Sequence, residues 1–287
     1  MTGLRVEAAG GSVLVQDLGR PGLAHLGVSA SGALDRGAMA LANRLVGNPD
    51  HAAGLEVVLG GFRAVADADV WIAVAGAWGP VRVAGRDAWP YRAHRVPAGA
   101  SLELGTAVRG LRYALAVRGG VDEPPVLGSR SRDTLAGLGP EPVRAGRVLR
   151  VGAEPAASVP LLDEDAAWPP PTGPVTLSLL PGPRADWVTD AALRALYESP
   201  WRLSASADRV GARLDGPALG RRISVELPSE PTVVGGIQVT GAGVPTVLLA
   251  DRPVTGGYPV VAIVEPASLD VLAQVRPGQG IRFRHGR

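Results

Sequence analysis

The sequence predicts a mainly β protein with a few helices, built as two β-barrel-like halves. Three observations carry this reading. The chain has Gly 39 and Pro 26 in 287 residues, which suits many short elements joined by tight turns. Its apolar runs are short, rich in β-branched residues, and bounded by Gly, Pro, Asp or Asn. Hydrophobic residues make up 46%, enough for one large or two moderate cores rather than a disordered chain.

Three segments read as helices. Residues 33–46 place Leu34, Ala38, Leu41 and Leu45 on one face. Ser31 or Gly32 is expected to cap that helix, Asp35 to sit at its positive end, and Gly47 and Pro49 to stop it. Residues 189–198 group Leu193, Leu196 and Tyr197 on one face, and residues 266–274 start at Pro266, a residue suited to a first helical position.

The strands expected in order are "DVWIAVAG", "VRVAG", "SLELG", "RYALAVRGG", "RVLRVG", "VTLSLLPG", "ISVELP", "TVLLAD", "PVVAIV" and "IRFRH". Three strands follow related turns, "VPAGASLEL", "VRAGRVLRV" and "VRPGQGIRF". The stretch around 156–174, rich in Pro, Ala and acidic residues with Trp168 before three prolines, reads as a packed linker. The expected division is therefore 1–155, a linker at 156–174, and 175–287.

Composition removes whole classes of chemistry. All 29 basic residues are Arg, so Schiff-base, P-loop and biotinylated lysines are excluded. Cys is absent, which removes thiol catalysis, thiolate metal sites and disulfides. The net charge is only +2, the Arg residues are scattered, and four Tyr and two Phe offer little base stacking. No nucleic-acid partner is expected. The start of the chain has no signal-peptide pattern, and no apolar run approaches the roughly 18 residues of a membrane span. The expectation is a soluble cytoplasmic protein without a membrane partner.

Four clusters combine charge with glycine: residues 16–35, "QDLGRPGLAHLGVSASGALD"; residues 128–133, "GSRSRD"; residues 206–213, "SADRVGAR"; and residues 229–258, which end in "TVLLADRPVTGGY". Glycine lets backbone N–H groups approach a ligand, and Arg grips carboxylate or phosphate with paired hydrogen bonds. Each cluster also has a plain reading as a turn stitched by its own polar groups. His25, His51, His94 and His285 show no metal spacing, and no metal site is expected. Neither a G-x-S-x-G elbow nor a dinucleotide fingerprint is present.

Taken in order, "VQDLGRPGLAHLGVSASGALDRGAMALANRLVGNP", "LAVRGG…PPVLGSRSRD", "LLPGP…DW", "SADRVGARLDGP", "GGIQV" and "VLLADRPVTGGYP" closely resemble the allophanate hydrolase subunit 2-like (KipA) family. That family includes the C subunit of bacterial 5-oxoprolinase and half of the carboxyltransferase domain of urea amidolyase. The resemblance runs from about residue 12 to the C-terminus. It implies two cyclophilin-like β-barrel subdomains. It also implies a complex with the other two 5-oxoprolinase chains, the KipI-like B subunit of that enzyme and its A subunit. The activity implied is ATP- and Mg²⁺-dependent opening of the 5-oxoproline lactam to L-glutamate. The alternatives it carries are a carboxyltransferase using biotin held by another chain to modify urea or a similar small amide, and a regulatory protein that binds a KipI-like partner. The sequence departs from the family pattern at Pro231, Pro253, Val254 and Val260; each Pro fixes φ and removes a donor.

Opening a lactam requires removal of amide resonance, which phosphorylation of the carbonyl oxygen achieves. Positioning and charge stabilisation are then the protein's task. On this reading Gln238, Asp251 and Asp17 are the candidate catalytic residues. Gln16, Arg20, Ser31, Asp35, Arg130, Arg132, Arg209, Glu230, Gly256, Gly257 and Tyr258 are candidates for holding substrate or phosphate. The acids Asp17, Asp35, Glu230 and Asp251 are candidates for general base work or Mg²⁺ ligation in the assembled complex. Residues 16–35 are expected to form one wall of a pocket, with the helix start favouring an anion.

Overall fold

The computed structural model describes residues 2–160 and 169–286. Trp168 and all three acidic residues of the expected linker, Asp163, Glu164 and Asp165, lie outside the described residues. The chain forms two units. The first comprises Met1–Arg20, Ser31–Asp133 and Gly137–Pro170; the second comprises Pro21–Ala30, Thr134–Ala136 and Pro171–Arg287. A single cut in the chain does not separate them, because two short excursions, Pro21–Ala30 and Thr134–Ala136, cluster with the second unit.

The mainly β reading holds in both units. In the first, one sheet has the strand order Val148–Arg150, Gly3–Ala9, Phe62–Ala66, Ser101–Leu104, Val81–Val83, Arg86–Ala88. The other runs Val13–Gln16, Gly54–Val58, Arg109–Val117, Val70–Trp78, Ala93–Val96. Leu4, Val6, Phe62, Leu102 and Leu104 of the first sheet share a core with Val15, Leu55, Val57, Ile72, Val74, Tyr113 and Leu115 of the second.

The long strand Val70–Trp78 shows why the alternation takes the form it does. Val70, Ile72 and Val74 enter that core, whereas Ala73 and Ala75 point to the other face. There they meet helix α1, Arg36–Leu45, through Met39, Ala42 and Leu45. Small residues on the outer face let the helix seat closely on the sheet.

Helix α1 starts later than its periodicity suggests. Asp35, not Ser31 or Gly32, is the N-cap, and its side chain accepts from Ala38 N at 2.8 Å. The buried face is Ala38, Met39, Ala42 and Leu45, with Leu41 only partly buried. The expected stop holds, with Gly47 at φ 73°.

The second unit is a closed barrel with the strand order Val175–Pro181, Val260–Val264, Gly236–Val239, Pro245–Leu248, Gly211–Asp215, Trp201–Leu203, Gly280–His285. It closes through the parallel pair Val175–Pro181 and Gly280–His285. Helix α2, Asp190–Glu198, is capped by Thr189, and helix α3, Pro266–Ala273, begins on Pro266 as expected. A separate two-stranded ribbon pairs Glu230–Pro231 with Thr255–Gly256.

One expected strand fails. "ISVELP", residues 223–228, carries no ladder among the described residues. Val225 is 64% exposed, and Pro228 cannot donate to a neighbour. The three related turns do form, each closed by an i to i+3 backbone bond: Ala100 N to Pro97 O, Arg147 N to Arg144 O, and Gln279 N to Arg276 O. Each places its Gly (Gly99, Gly146, Gly278) at positive φ.

Candidate functional site

In the first unit the polar loops meet at Asp17, which is buried. Its Oδ1 accepts from Gly19 N at 2.7 Å, Ser129 Oγ at 2.6 Å and Ser131 Oγ at 2.5 Å. Its Oδ2 accepts from Arg130 N at 2.6 Å. Ser131 Oγ in turn accepts from Asp17 N. Asp17 thus joins the "QDLGR" loop to "GSRSRD" through backbone N–H groups and hydroxyls, all of them uncharged.

Arg20 is also buried and donates to the carbonyls of Val126 and Ser131. The Gln16 amide and the Ser31 hydroxyl both donate to Arg132 O, at 2.8 and 3.1 Å. Ser31 sits at φ 53°, a left-handed backbone that costs an L residue about 1–2 kcal/mol. Gly32 follows because nothing larger fits: a Cβ there would lie 2.9 Å from Gly19 N and from Leu18 C. Ala33 N then donates to Asp17 O at 2.9 Å. The "SGALD" segment is strapped onto "QDLGR" by backbone contact.

The rest of the first-unit set is committed locally. Arg130 reaches Asp122 at 3.3 Å. Arg132 Nη1 holds Glu141 at 2.9 Å and the carbonyls of Gly137 and Gly139. Asp35 caps α1, so the positive helix start expected to favour an anion is already answered by the chain's own carboxylate. His25 lies on the Pro21–Ala30 excursion of the second unit, where its Nδ1 meets Gly22 O at 3.1 Å, a contact within its own turn.

In the second unit Asp251 is fully buried and Arg209 nearly so. They form a two-point pair, Nε to Oδ2 at 2.9 Å and Nη2 to Oδ1 at 3.2 Å. Thr134 adds its backbone N at 2.9 Å and its Oγ1 at 2.7 Å to Oδ2. Glu230 is gripped by Arg184 through Nε at 3.0 Å and through Nη2. That hydrogen bonding holds the Glu230 carboxyl below its usual range and raises Arg184.

Gln238 stands on strand Gly236–Val239 where the register shifts against Val260–Val264. Its Nε2 donates to Tyr258 O at 3.1 Å. A Cβ at Gly256 would stand 2.7 Å from that Nε2 and 3.3 Å from Thr232 Cγ2. A side chain at 256 would therefore push the Gln238 amide out of its present position. Gly257 is exposed, with only Leu227 O near a would-be Cβ, and the Tyr258 side chain is half-exposed.

The structure joins Gln16, Asp17, Arg20, Ser31 and Arg132 in one network, and gathers Glu230, Gln238, Gly256 and Tyr258 around the ribbon. The four candidate acids do not converge on a cation. Each is engaged by donors of its own chain, and among the described residues no group of three or more His, Asp or Glu is arranged to hold a metal. Ser129, Ser131 and Arg252 lie within the charged glycine clusters without having been assigned a role, and Thr134 and Arg184 lie outside them. The Ser-x-Ser spacing was a usable signal for the first pair, since it aims both hydroxyls the same way. Nothing local links Thr134 to Asp251, 117 residues away.

Comparison with known proteins places this architecture. The family described as carboxyltransferase domain, subdomain A and B, matches residues 26–285. The chain belongs to this family. Among curated relatives, the C subunit of 5-oxoprolinase from Escherichia coli (strain K12) is 37% identical over 287 residues, covering 98% of this chain and 90% of that protein. Urea amidolyase of Lachancea kluyveri is 29% identical over 313 residues, covering 97% of this chain but 16% of that protein. The crystal structure of TTHA0988 superposes with a TM-score of 0.88 at 40% identity, covering 99% of this chain and 55% of that one. The Kluyveromyces lactis urea amidolyase structure gives 0.92 at 26% identity, over 99% of this chain and 19% of that one. This carboxyltransferase-type chain thus spans about half of the TTHA0988 chain and a smaller part of urea amidolyase. No helix among its described residues is long and apolar enough to cross a membrane.

Proposed function

We propose that this chain is the C subunit of an ATP-dependent 5-oxoprolinase, active only with its A and B (KipI-like) subunits, opening the 5-oxoproline lactam to L-glutamate in the cytoplasm. One observation carries the reading. The chain corresponds nearly end to end with the Escherichia coli 5-oxoprolinase C subunit, 98% of one against 90% of the other. Its match to urea amidolyase instead covers 16% of a much longer protein.

Within that reading the two loop networks have separate tasks. The Asp17–Ser129–Ser131 network fixes the loops on which Gln16, Arg20, Arg130 and Arg132 stand. The Asp251–Arg209 pair fixes the strand end from which the 253–258 loop departs. Gln238 and Tyr258 then present amide and carbonyl groups suited to orienting a small cyclic amide. The four candidate acids, Asp17, Asp35, Glu230 and Asp251, do not fit a Mg²⁺ site, since each already has donors from its own chain. In this reading the assembled complex binds ATP and Mg²⁺.

The fold likeness to urea amidolyase supports a second reading, a carboxyltransferase component acting on urea or a similar amide. Biotin would then arrive on another chain, because this one has no lysine to carry it. The regulatory reading predicts partner binding without turnover. The deciding assay measures glutamate released from 5-oxoproline by this chain with the A and B subunits, ATP and Mg²⁺, omitting each component in turn. Glutamate only from the complete mixture is the expected result. Its absence when all three chains are folded and bound would overturn the reading.

A further inference from the structure

Arg252 follows the buried Asp251 and is itself half-buried, so part of it faces solvent. Its Nη2 makes one long contact, to Thr232 O at 3.3 Å. Its Nε and Nη1 are shielded from water and have no hydrogen-bond partner among the described residues. Either edge of the guanidinium fork therefore contains a nitrogen with nothing to donate to. A cation held this way has lost hydration without recovering it elsewhere, which is an expensive arrangement for a fold to keep.

The surrounding charges sharpen the point. Glu230 is taken by Arg184 and Asp251 by Arg209. Arg252 makes no ion pair among the described residues. Burial depresses its pKa, yet a guanidinium remains charged at any working pH. Arg130 and Arg221 also have an unpartnered Nε. However, Arg130 pairs with Asp122 at 3.3 Å, and Arg221 lies over the Trp187 ring at 5.8 Å. Arg252 is distinct in having two such nitrogens and neither kind of partner.

We infer that Arg252 is an anion-binding residue of the second unit, and that it takes the carboxylate or phosphate oxygens of a small-molecule ligand. A planar fork matches two oxygens of such a group. The neighbourhood adds a second feature. Thr232, whose carbonyl receives Arg252, and Gln238 flank the same glycine, Gly256. The Gln238 amide donates through Nε2 to Tyr258 O, which leaves its Oε1 to accept an N–H. A ligand carrying an anionic group and an amide N–H fits both, and 5-oxoproline has both. Which oxyanion binds rests on the 5-oxoprolinase reading; that an oxyanion binds does not.

The test uses the full-length chain labelled with ¹⁵N and follows the Nε–H resonance of Arg252, identified by its loss in Arg252→Gln. The probes are 5-oxoproline, 2-pyrrolidinone (the same ring without the carboxylate) and inorganic phosphate. A shift of that resonance with 5-oxoproline but not with 2-pyrrolidinone assigns the carboxylate. A shift with phosphate but not with 5-oxoproline supports the anion site and assigns it to phosphate. In either case Arg252→Gln should weaken the probe that binds by about 10- to 100-fold, with Arg252→Lys intermediate. If no anionic probe moves the resonance of the folded wild-type chain, the inference is wrong. Because the readout is binding to this chain alone, that failure is separate from a failure of the glutamate assay.

Discussion

Asp17 and Asp251 are both buried carboxylates at the ends of loops, yet they are held in opposite ways. Asp17 receives Gly19 N, Arg130 N and two serine hydroxyls, with no ion pair among the described residues. Asp251 faces the guanidinium of Arg209 and adds Thr134. The first arrangement satisfies geometry and the second satisfies charge. A network of neutral donors can lose one partner and keep the others. A buried ion pair that loses one member strands the other.

The largest break in the comparison is therefore at Asp251. Asp251→Ala is expected to cost about 3–5 kcal/mol in chemical denaturation, because Arg209 is left buried and uncompensated. Replacing both, Asp251→Ala with Arg209→Met, should recover much of that loss. If the single and double variants are equally destabilised, the pair is not what holds the strand end. Asp17→Asn should cost less, about 1–3 kcal/mol. The amide keeps one acceptor oxygen for Gly19, Ser129 and Ser131 but turns an N–H toward Arg130 N. An Asn variant as damaging as Asp251→Ala would show that the negative charge itself matters there.

The smallest effect belongs to Glu230, paired with Arg184 at the surface. Its folded pKa lies below the ordinary value of 4.5. A carboxylate depressed on folding adds stability above its unfolded pKa, and that stability is lost as pH falls through the folded pKa. Glu230→Gln should thus leave the melting temperature nearly unchanged on the acid side, well below pH 4.5. At neutral pH it should lower it slightly. A variant that melts lower by the same amount in strong acid and at neutral pH would contradict this.

How much was legible differs by region. The strands in "DVWIAVAG" and "RYALAVRGG", the Pro266 start of α3, the Thr189 edge of α2 and the three Gly-closed turns follow from local chemistry. They needed no knowledge of distant residues. The start of α1 was misread because Ser31 and Gly32 look like caps, but their backbone is used to strap residues 31–33 onto residues 17–19. "ISVELP" has strand composition, yet no neighbouring strand among the described residues takes its edge. The Asp17 network was half legible: an Asp two residues before a Gly predicts the local bond to Gly19, and the bonds to Ser129 and Ser131 span 112 and 114 residues.

By itself the sequence determined the class of fold, the absence of thiol and lysine chemistry, and, through motifs kept in order, the family. Periodicity, turn residues and composition act over a few neighbouring residues, so they survive without a structure. Only the tertiary structure decided that Asp251 is paired with Arg209, that Asp17 is held by neutral donors, and that Arg252 is left with nitrogens to spare. Those outcomes depend on which distant group closes on each buried charge, and local spacing carries no information about that.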